Sequence, residues 1–267
     1  MLKKEKIVIA NFKMNLVLRF EMENWLKGFL RYKNDLNNLS TTKIVLCPAV
    51  LQTDIFANKL RDIKTVDIGL QDCFWERKGS YTGGVSPTMG KSFGAEYVIL
   101  GHSERRRYFG ETEEVIALKL KKAVTVGLKS ILCIGESAEE KKADTTNLSL
   151  NKQLDACLKD FPPGQLDRLI IAYEPVWAIS SNKPVNPPTV DEIMMAKLII
   201  RKNLVKRYGT KSADRVKILY GGSVNQRNVE EICFEAGMEG VLVGKASLVP
   251  TELWGIVKKL ELKLNVD

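Results

Sequence analysis

Short apolar, β-branched runs alternate along the chain with stretches whose apolar positions recur at helical spacing. Residues 7–12 (Ile-Val-Ile-Ala-Asn-Phe) read as a buried strand and residues 21–32 as an amphipathic helix. The same signal predicts strands over 43–47, 66–70, 97–100, 129–134, 169–174, 216–220 and 240–243. Helical patterns fall between them: over 53–60, from Pro87 onward, and over 113–126, 138–158, 190–208 and 225–236, with a last one over 248–262. Pro48 closes the second strand, Thr145-Thr146-Asn147 breaks the 138–158 helix, and Pro187-Pro188 marks the start of the 190–208 helix. A long polar and aromatic loop, Gln71 to Ser86, follows the third strand and contains Gly79, Gly83 and Gly84.

Eight strand–helix units in 267 residues predict an α/β protein built as one closed (β/α)8 barrel, a single domain over residues 1–267 with no linker or low-complexity tract. An open doubly wound sheet would alternate in the same way, but no Gly-x-Gly-x-x-Gly follows the first strand.

Composition narrows the function classes. No apolar run approaches the ~18 residues of a membrane span, and Met1-Leu2-Lys3-Lys4-Glu5-Lys6 leads into a strand without a signal-peptide stretch, so a cytoplasmic protein is expected. Five scattered cysteines without a Cys-x-x-Cys pair read as reduced core thiols. The net charge of +9 is spread over helix-like stretches with acids interleaved. That pattern describes solvated helix faces and is compatible with a mild field that attracts a small anion; no nucleic-acid motif accompanies it. His102 is the only histidine, so no zinc-type cluster is expected.

In such barrels active sites lie at the carboxyl ends of the strands. There the sequence places Asn11-Phe12-Lys13, Gly101-His102-Ser103-Glu104-Arg105, Glu174, Tyr220-Gly221-Gly222-Ser223 and Gly244-Lys245-Ala246-Ser247. Glu174 ends an apolar run and precedes Pro175-Val176-Trp177-Ala178-Ile179, an apolar loop suited to exclude water and raise its proton affinity. It is then a base able to take a proton from carbon next to a carbonyl. His102 can donate a hydrogen bond to that carbonyl as enediolate charge develops. It precedes what reads as a short helix start, where the positive helix end disfavours the imidazolium. Lys13 can hold negative charge on the substrate. Backbone N–H groups at Gly221, Gly222 and Gly244 can cradle a phosphate, because the loops after strands seven and eight are the usual phosphate site of these barrels. Each group alone also has a structural reading, as a strand-end glutamate, a satisfied histidine, a surface lysine or a plain turn; their convergence on one barrel face favours chemistry. Gly240-Val-Leu-Val-Gly244-Lys245 is not a P-loop, since three residues separate the glycines and Ala246 stands where the magnesium ligand would be.

Asn11-Phe-Lys13-Met-Asn15, Tyr97-Val-Ile-Leu-Gly-His102-Ser-Glu-Arg-Arg106, Phe109-Gly-Glu-Thr112, Cys133-Ile-Gly-Glu136, Ala172-Tyr-Glu174-Pro-Val-Trp-Ala-Ile179, Tyr220-Gly-Gly-Ser-Val224 and Gly240-Val-Leu-Val-Gly244 together closely resemble the triosephosphate isomerase family, in order over nearly the whole chain. The resemblance implies a TIM barrel that interconverts dihydroxyacetone phosphate and glyceraldehyde 3-phosphate without cofactor or metal. It implies Glu174 as base, His102 as electrophile, and Lys13 with Asn11 as the substrate-binding pair. Glu104 supports that pair, and Ser103, Tyr220 and Trp177 stand beside the site in the same motifs. The segment from Pro175 to Lys183, with Ser180, is the closing lid; Ser223 and the Gly221-Gly222 and Gly244 turns bind phosphate. A homodimer formed through the loop Gln71 to Ser86 is implied as well. The family is itself the reference case for the neutral histidine and for lid closure, so those two points come with the resemblance.

Three departures bear on the substrate. The lid reads Ile179-Ser180-Ser181-Asn182-Lys183 where the family has Ile-Gly-Thr-Gly-Lys. The last phosphate turn is Gly244-Lys245 where the family has Gly-Gly, and Lys245 either adds a bond to phosphate or points into solvent. The third loop reads Thr82-Gly83-Gly84 where the family has Thr-Gly-Glu. A four-carbon ketose phosphate, an erythrulose phosphate, is the alternative substrate, and a non-catalytic phosphate-binding barrel the more distant alternative.

Overall fold

The computed structural model describes residues 5–179 and 187–266. The apolar runs become eight parallel strands, β1 (Lys6–Asn11), β2 (Thr42–Cys47), β3 (Val66–Leu70), β4 (Ala95–Leu100), β5 (Lys129–Ile134), β6 (Leu169–Tyr173), β7 (Lys217–Tyr220) and β8 (Gly240–Val243). They pair in sequence order, and β8 closes on β1 with Ile7 opposite Gly240. The expected (β/α)8 barrel is therefore observed. The strands are mostly apolar because both faces are covered, with polar residues such as Lys43, Asp67, Glu96 and Lys129 near their starts. Ile9, Val45, Ile99, Ile131, Ala172 and Leu242 point into the barrel, while Val8, Ala10, Leu46, Val98, Leu132 and Val243 lie under the helices. Gly69 has no side chain inside the barrel, and the Cys47 Sγ fills its place, 2.6 Å from where a Cβ would lie. All five cysteines are buried free thiols.

The surrounding helices are α1 (Arg19–Leu30), α2 (Lys33–Asn37), α3 (Thr53–Leu60), α4 (Pro87–Ser92), α5 (Ser103–Phe109), α6 (Glu113–Thr125), α7 (Ala138–Lys142), α8 (Thr146–Cys157), α9 (Val190–Tyr208), α10 (Thr210–Ala213) and α11 (Pro250–Val266). Their starts are written in the sequence. Ser86 accepts the Met89 amide at 3.0 Å ahead of Pro87, and Ser137–Glu140 and Thr189–Glu192 form reciprocal capping boxes. None of the helices among the described residues is long and apolar enough to cross a membrane.

Two elements differ from the sequence pattern. Strand β4 begins at Ala95, not Tyr97, because Gly94 turns the chain at a φ of 90° and the β3–β4 register shifts between Ile68 and Gly69. The helix expected over 225–236 is shorter and partly widened: after a turn at 226–228 the chain is helical over 229–235, with π-helical winding at Glu231–Glu235. Its end is held by the buried Lys6 ammonium, which donates to the Cys233 carbonyl at 2.8 Å and the Met238 carbonyl at 2.7 Å. Helix α11 is tied to the start of β2 by Glu261, which accepts the Ser40 amide and hydroxyl at 2.8 Å each and the Thr41 hydroxyl at 2.9 Å.

Candidate active site

Because every strand runs the same way, the eight strand ends open on one rim. Glu174 follows the last residue of β6, with its amide bonded to the Ile134 carbonyl of β5 at 2.7 Å and its side chain only 3% exposed. Oε1 faces His102 Nε2 at 3.4 Å, and Oε2 is buried without a hydrogen-bond partner. A buried carboxylate oxygen with no donor is costly unless a ligand meets it. Burial, and then the adjacent Glu174 charge, push the neighbouring Cys133 thiol well above its ordinary range. Gly221 leaves the room that Glu174 occupies, since a Cβ there would sit 2.6 Å from the Glu174 Cγ.

His102 caps α5. Its Nδ1 accepts the Glu104 amide at 3.2 Å, so that nitrogen is unprotonated while the bond holds and the ring proton sits on Nε2, which faces Glu174. The Glu104 carboxylate lies 3.7 Å from Nδ1 but spends its short contact elsewhere, accepting the Lys13 ammonium at 2.6 Å.

Lys13 adopts a left-handed backbone, with a φ of 52°. Three contacts hold it: its amide donates to Asn11 Oδ1 at 3.0 Å, its carbonyl accepts Gln71 Nε2 at 2.8 Å, and its ammonium is fixed by Glu104. The same Gln71 amide group reaches the Cys47 carbonyl at 2.9 Å, tying the first three strand ends together. Asn11, Lys13, His102, Glu174, Gly222 and Lys245 line one cleft.

The remaining site residues fall as follows. Ser103 is the half-buried first residue of α5, and Tyr220 is buried at the end of β7 with its hydroxyl beneath Gly222, where a Cβ would meet it at 2.2 Å. The Gly221 amide is already committed to the Tyr173 carbonyl at 2.8 Å, so Gly221 supplies space for Glu174 and not an N–H for a ligand. Ser223 and Gly244 are half-buried on the rim, and Lys245 is exposed at the start of a 3-10 turn, Lys245–Leu248. Ser180 lies outside the described residues. Trp177 sits in a short 3-10 turn, Val176–Ala178, and donates to the Glu136 carboxylate at 2.8 Å; the Tyr173 hydroxyl donates to the same oxygen at 3.1 Å. Burial pushes the Glu136 carboxyl above the ordinary range, against the lowering effect of those bonds.

Glu136 and Gln71 were not assigned roles from the sequence. A carboxylate at the end of β5, in Cys133-Ile-Gly-Glu136, was a readable signal; Gln71, in a polar loop, gave none. Among the described residues no group of three or more His, Cys, Asp and Glu side chains forms a metal site.

Fold and site define an acid–base barrel enzyme, with a buried carboxylate and an imidazole on one strand-end rim and a held lysine beside them. The family model for triosephosphate isomerase matches residues 6–260. The chain is 37% identical over 255 residues to the triosephosphate isomerase of Dictyoglomus thermophilum, covering 96% of this chain and 99% of that protein. It is 40% identical over 232 residues to that of Carboxydothermus hydrogenoformans, covering 86% and 91%, and 36% identical over 252 residues to that of Aquifex aeolicus, covering 94% and 98%. The chain belongs to the triosephosphate isomerase family.

Proposed function

We propose that residues 1–267 form one isomerase domain that interconverts dihydroxyacetone phosphate and glyceraldehyde 3-phosphate, the glycolytic and gluconeogenic step, by proton transfer through an enediolate and without a cofactor. Glu174 takes the proton from the carbon beside the carbonyl, and the electron pair moves onto the carbonyl oxygen. His102 donates its Nε2–H to that oxygen, and Lys13 offsets the developing charge. The Glu174 carboxyl, after exchange with solvent, protonates the neighbouring carbon, while the hydroxyl on the first carbon gives its proton to His102 Nε2 and becomes the new carbonyl; base and imidazole are both restored. Asn11 and Glu104 hold Lys13. Ser223, the Gly222 and Gly244 turns and Lys245 grip the phosphate, with Ser180 on the lid that runs from Pro175 to Lys183. The observation that carries this reading is the buried Glu174 carboxylate 3.4 Å from His102 Nε2, with one oxygen unmet by any donor.

The working form is a cytoplasmic homodimer built through the loop Gln71 to Ser86. Within that loop Phe74 and Trp75 stack at 3.9 Å and Tyr81 packs on Phe74 at 4.6 Å, so Phe74 and Trp75 are half-buried and the exposed ring is Tyr81. Beside the loop lies a groove lined by Met14, Val50, Val85, Phe109 and the two stacked rings. Met14 is 89% exposed and Phe109 67%; large apolar side chains left this bare along one groove favour a second copy as cover.

The test is Glu174→Gln in a coupled assay with glyceraldehyde 3-phosphate. We expect kcat to fall by at least ~10²-fold with the fold intact. Turnover near the wild-type rate contradicts the reading.

A further inference from the structure

We propose that Gln153, on α8 outside the barrel, is a positioning residue for the proton transfer, acting on Glu174 through the peptide of Gly135; this rests on the reading of Glu174 as the base. Strand β4 pairs with β5 only as far as Leu100 opposite Leu132. Beyond that point β5 continues without a strand neighbour on that side, and two side chains supply its hydrogen bonds. Arg106 donates to the Cys133 carbonyl at 3.4 Å. Gln153 takes both backbone groups of Gly135: its Oε1 accepts the Gly135 amide at 3.1 Å and its Nε2 donates to the Gly135 carbonyl at 2.9 Å.

The other side of the same turn carries the base. The Ile134 carbonyl holds the Glu174 amide at 2.7 Å, and the Glu136 carbonyl holds the Val176 amide at 3.0 Å. Between those two bonds Gly135 presses directly on the Glu174 peptide. A Cβ on Gly135 would lie 1.8 Å from the Glu174 carbonyl oxygen and 3.2 Å from the Pro175 nitrogen. With no space between the two backbones, the Gly135 peptide sets where the Glu174 peptide sits, and Gln153 fixes the Gly135 peptide.

The residue type follows from the geometry. Meeting an N–H and a C=O at once takes a side chain with one acceptor and one donor in a plane, which is a carboxamide. Lysine and arginine only donate, and an ionised carboxylate only accepts. A base held on rigid elements gains rate from placement, and a shift of an ångström can cost up to ~10²-fold.

The test compares Gln153→Met, which keeps length and loses both hydrogen bonds, with Gln153→Glu, which keeps the acceptor and loses the donor. Three readouts are taken: kcat, exchange of the substrate carbon-bound proton with solvent, and affinity for glycerol 3-phosphate, which has the phosphate but no carbonyl. We expect Gln153→Met to lower kcat and proton exchange together by about tenfold, with glycerol 3-phosphate affinity within about twofold of wild type, and Gln153→Glu to fall between. Wild-type kcat in Gln153→Met overturns the proposal, and so does a parallel loss of kcat and glycerol 3-phosphate affinity, which marks general loosening. If Gln153→Met does not fold, Gln153→Glu alone decides by the same two criteria. Glu174→Gln measured alongside separates the two ideas: if it stays active the assignment of the base fails, and if it is inactive while the Gln153 variants are normal only the present proposal fails.

Discussion

At Lys13 the backbone takes a conformation that an L-residue adopts at a cost of about 1–2 kcal/mol. That cost is offset by the bonds from Asn11 and Gln71 and by the ion pair with Glu104, and it aims the ammonium into the cleft. His102 is set with equal definiteness. Its Nδ1 is occupied by an amide at the start of α5, which leaves one place for the proton of the neutral ring. Nitrogen-15 NMR of this single histidine at neutral pH should therefore show a pyridine-type Nδ1 and a protonated Nε2; a protonated Nδ1 would contradict the site geometry. The residue types at the strand ends were legible in the sequence, because Glu174-Pro175 and Gly101-His102-Ser103 punctuate apolar runs. What holds them was not: the bond from Gln71 to Lys13 spans 58 residues, and the polar stretch around Gln71 carries no periodic signal.

Among the elements, the strands were the most readable. Residues buried on both faces leave mostly apolar runs whose lengths the folded strands reproduce over 66–70, 129–134 and 240–243. The misread elements are those shaped by a distant partner. The π-helical stretch Glu231–Glu235 ends under an ammonium 227 residues away in sequence, and β4 gains two residues through a register shift that a one-dimensional pattern does not encode. The tie between α11 and β2 is of the same long-range kind and has a pH signature. Burial raises the Glu261 carboxyl, but the bonds from Ser40 and Thr41 outweigh it and bring it from 4.5 down to about 2. A carboxyl depressed by folding stabilises the protein above its unfolded value and loses that contribution as pH falls toward the folded value. Glu261→Gln should cost about 1–2 kcal/mol near neutrality. In thermal melts its gap to wild type should narrow as pH drops below 4.5; a gap independent of pH would show that the charge of Glu261 is not what matters.

For the whole molecule, the alternation of eight apolar runs with helical stretches, taken with the lack of a Gly-x-Gly-x-x-Gly after the first run, pointed to a closed barrel, and the direction of the strands then gathers the site on one rim. The surface was less legible. In the loop that reads as polar and aromatic, Phe74 and Trp75 pack on one another and leave a groove beside them, a pairing that no pattern in the loop announces. Whether a second copy fills that groove is decided by sedimentation: a dimer is expected at micromolar concentration, and a fully active monomer would refute it. The central claim, that the chain isomerises a triose phosphate by moving a proton between carbons through Glu174, is tested most directly in deuterated water. Supplied with dihydroxyacetone phosphate, the enzyme should form glyceraldehyde 3-phosphate carrying solvent deuterium at C2, and Glu174→Gln should suppress product and exchange together. Product formed wholly without solvent deuterium would mean that the migrating hydrogen never exchanges at Glu174 and, like exchange that survives the loss of Glu174, would contradict the account.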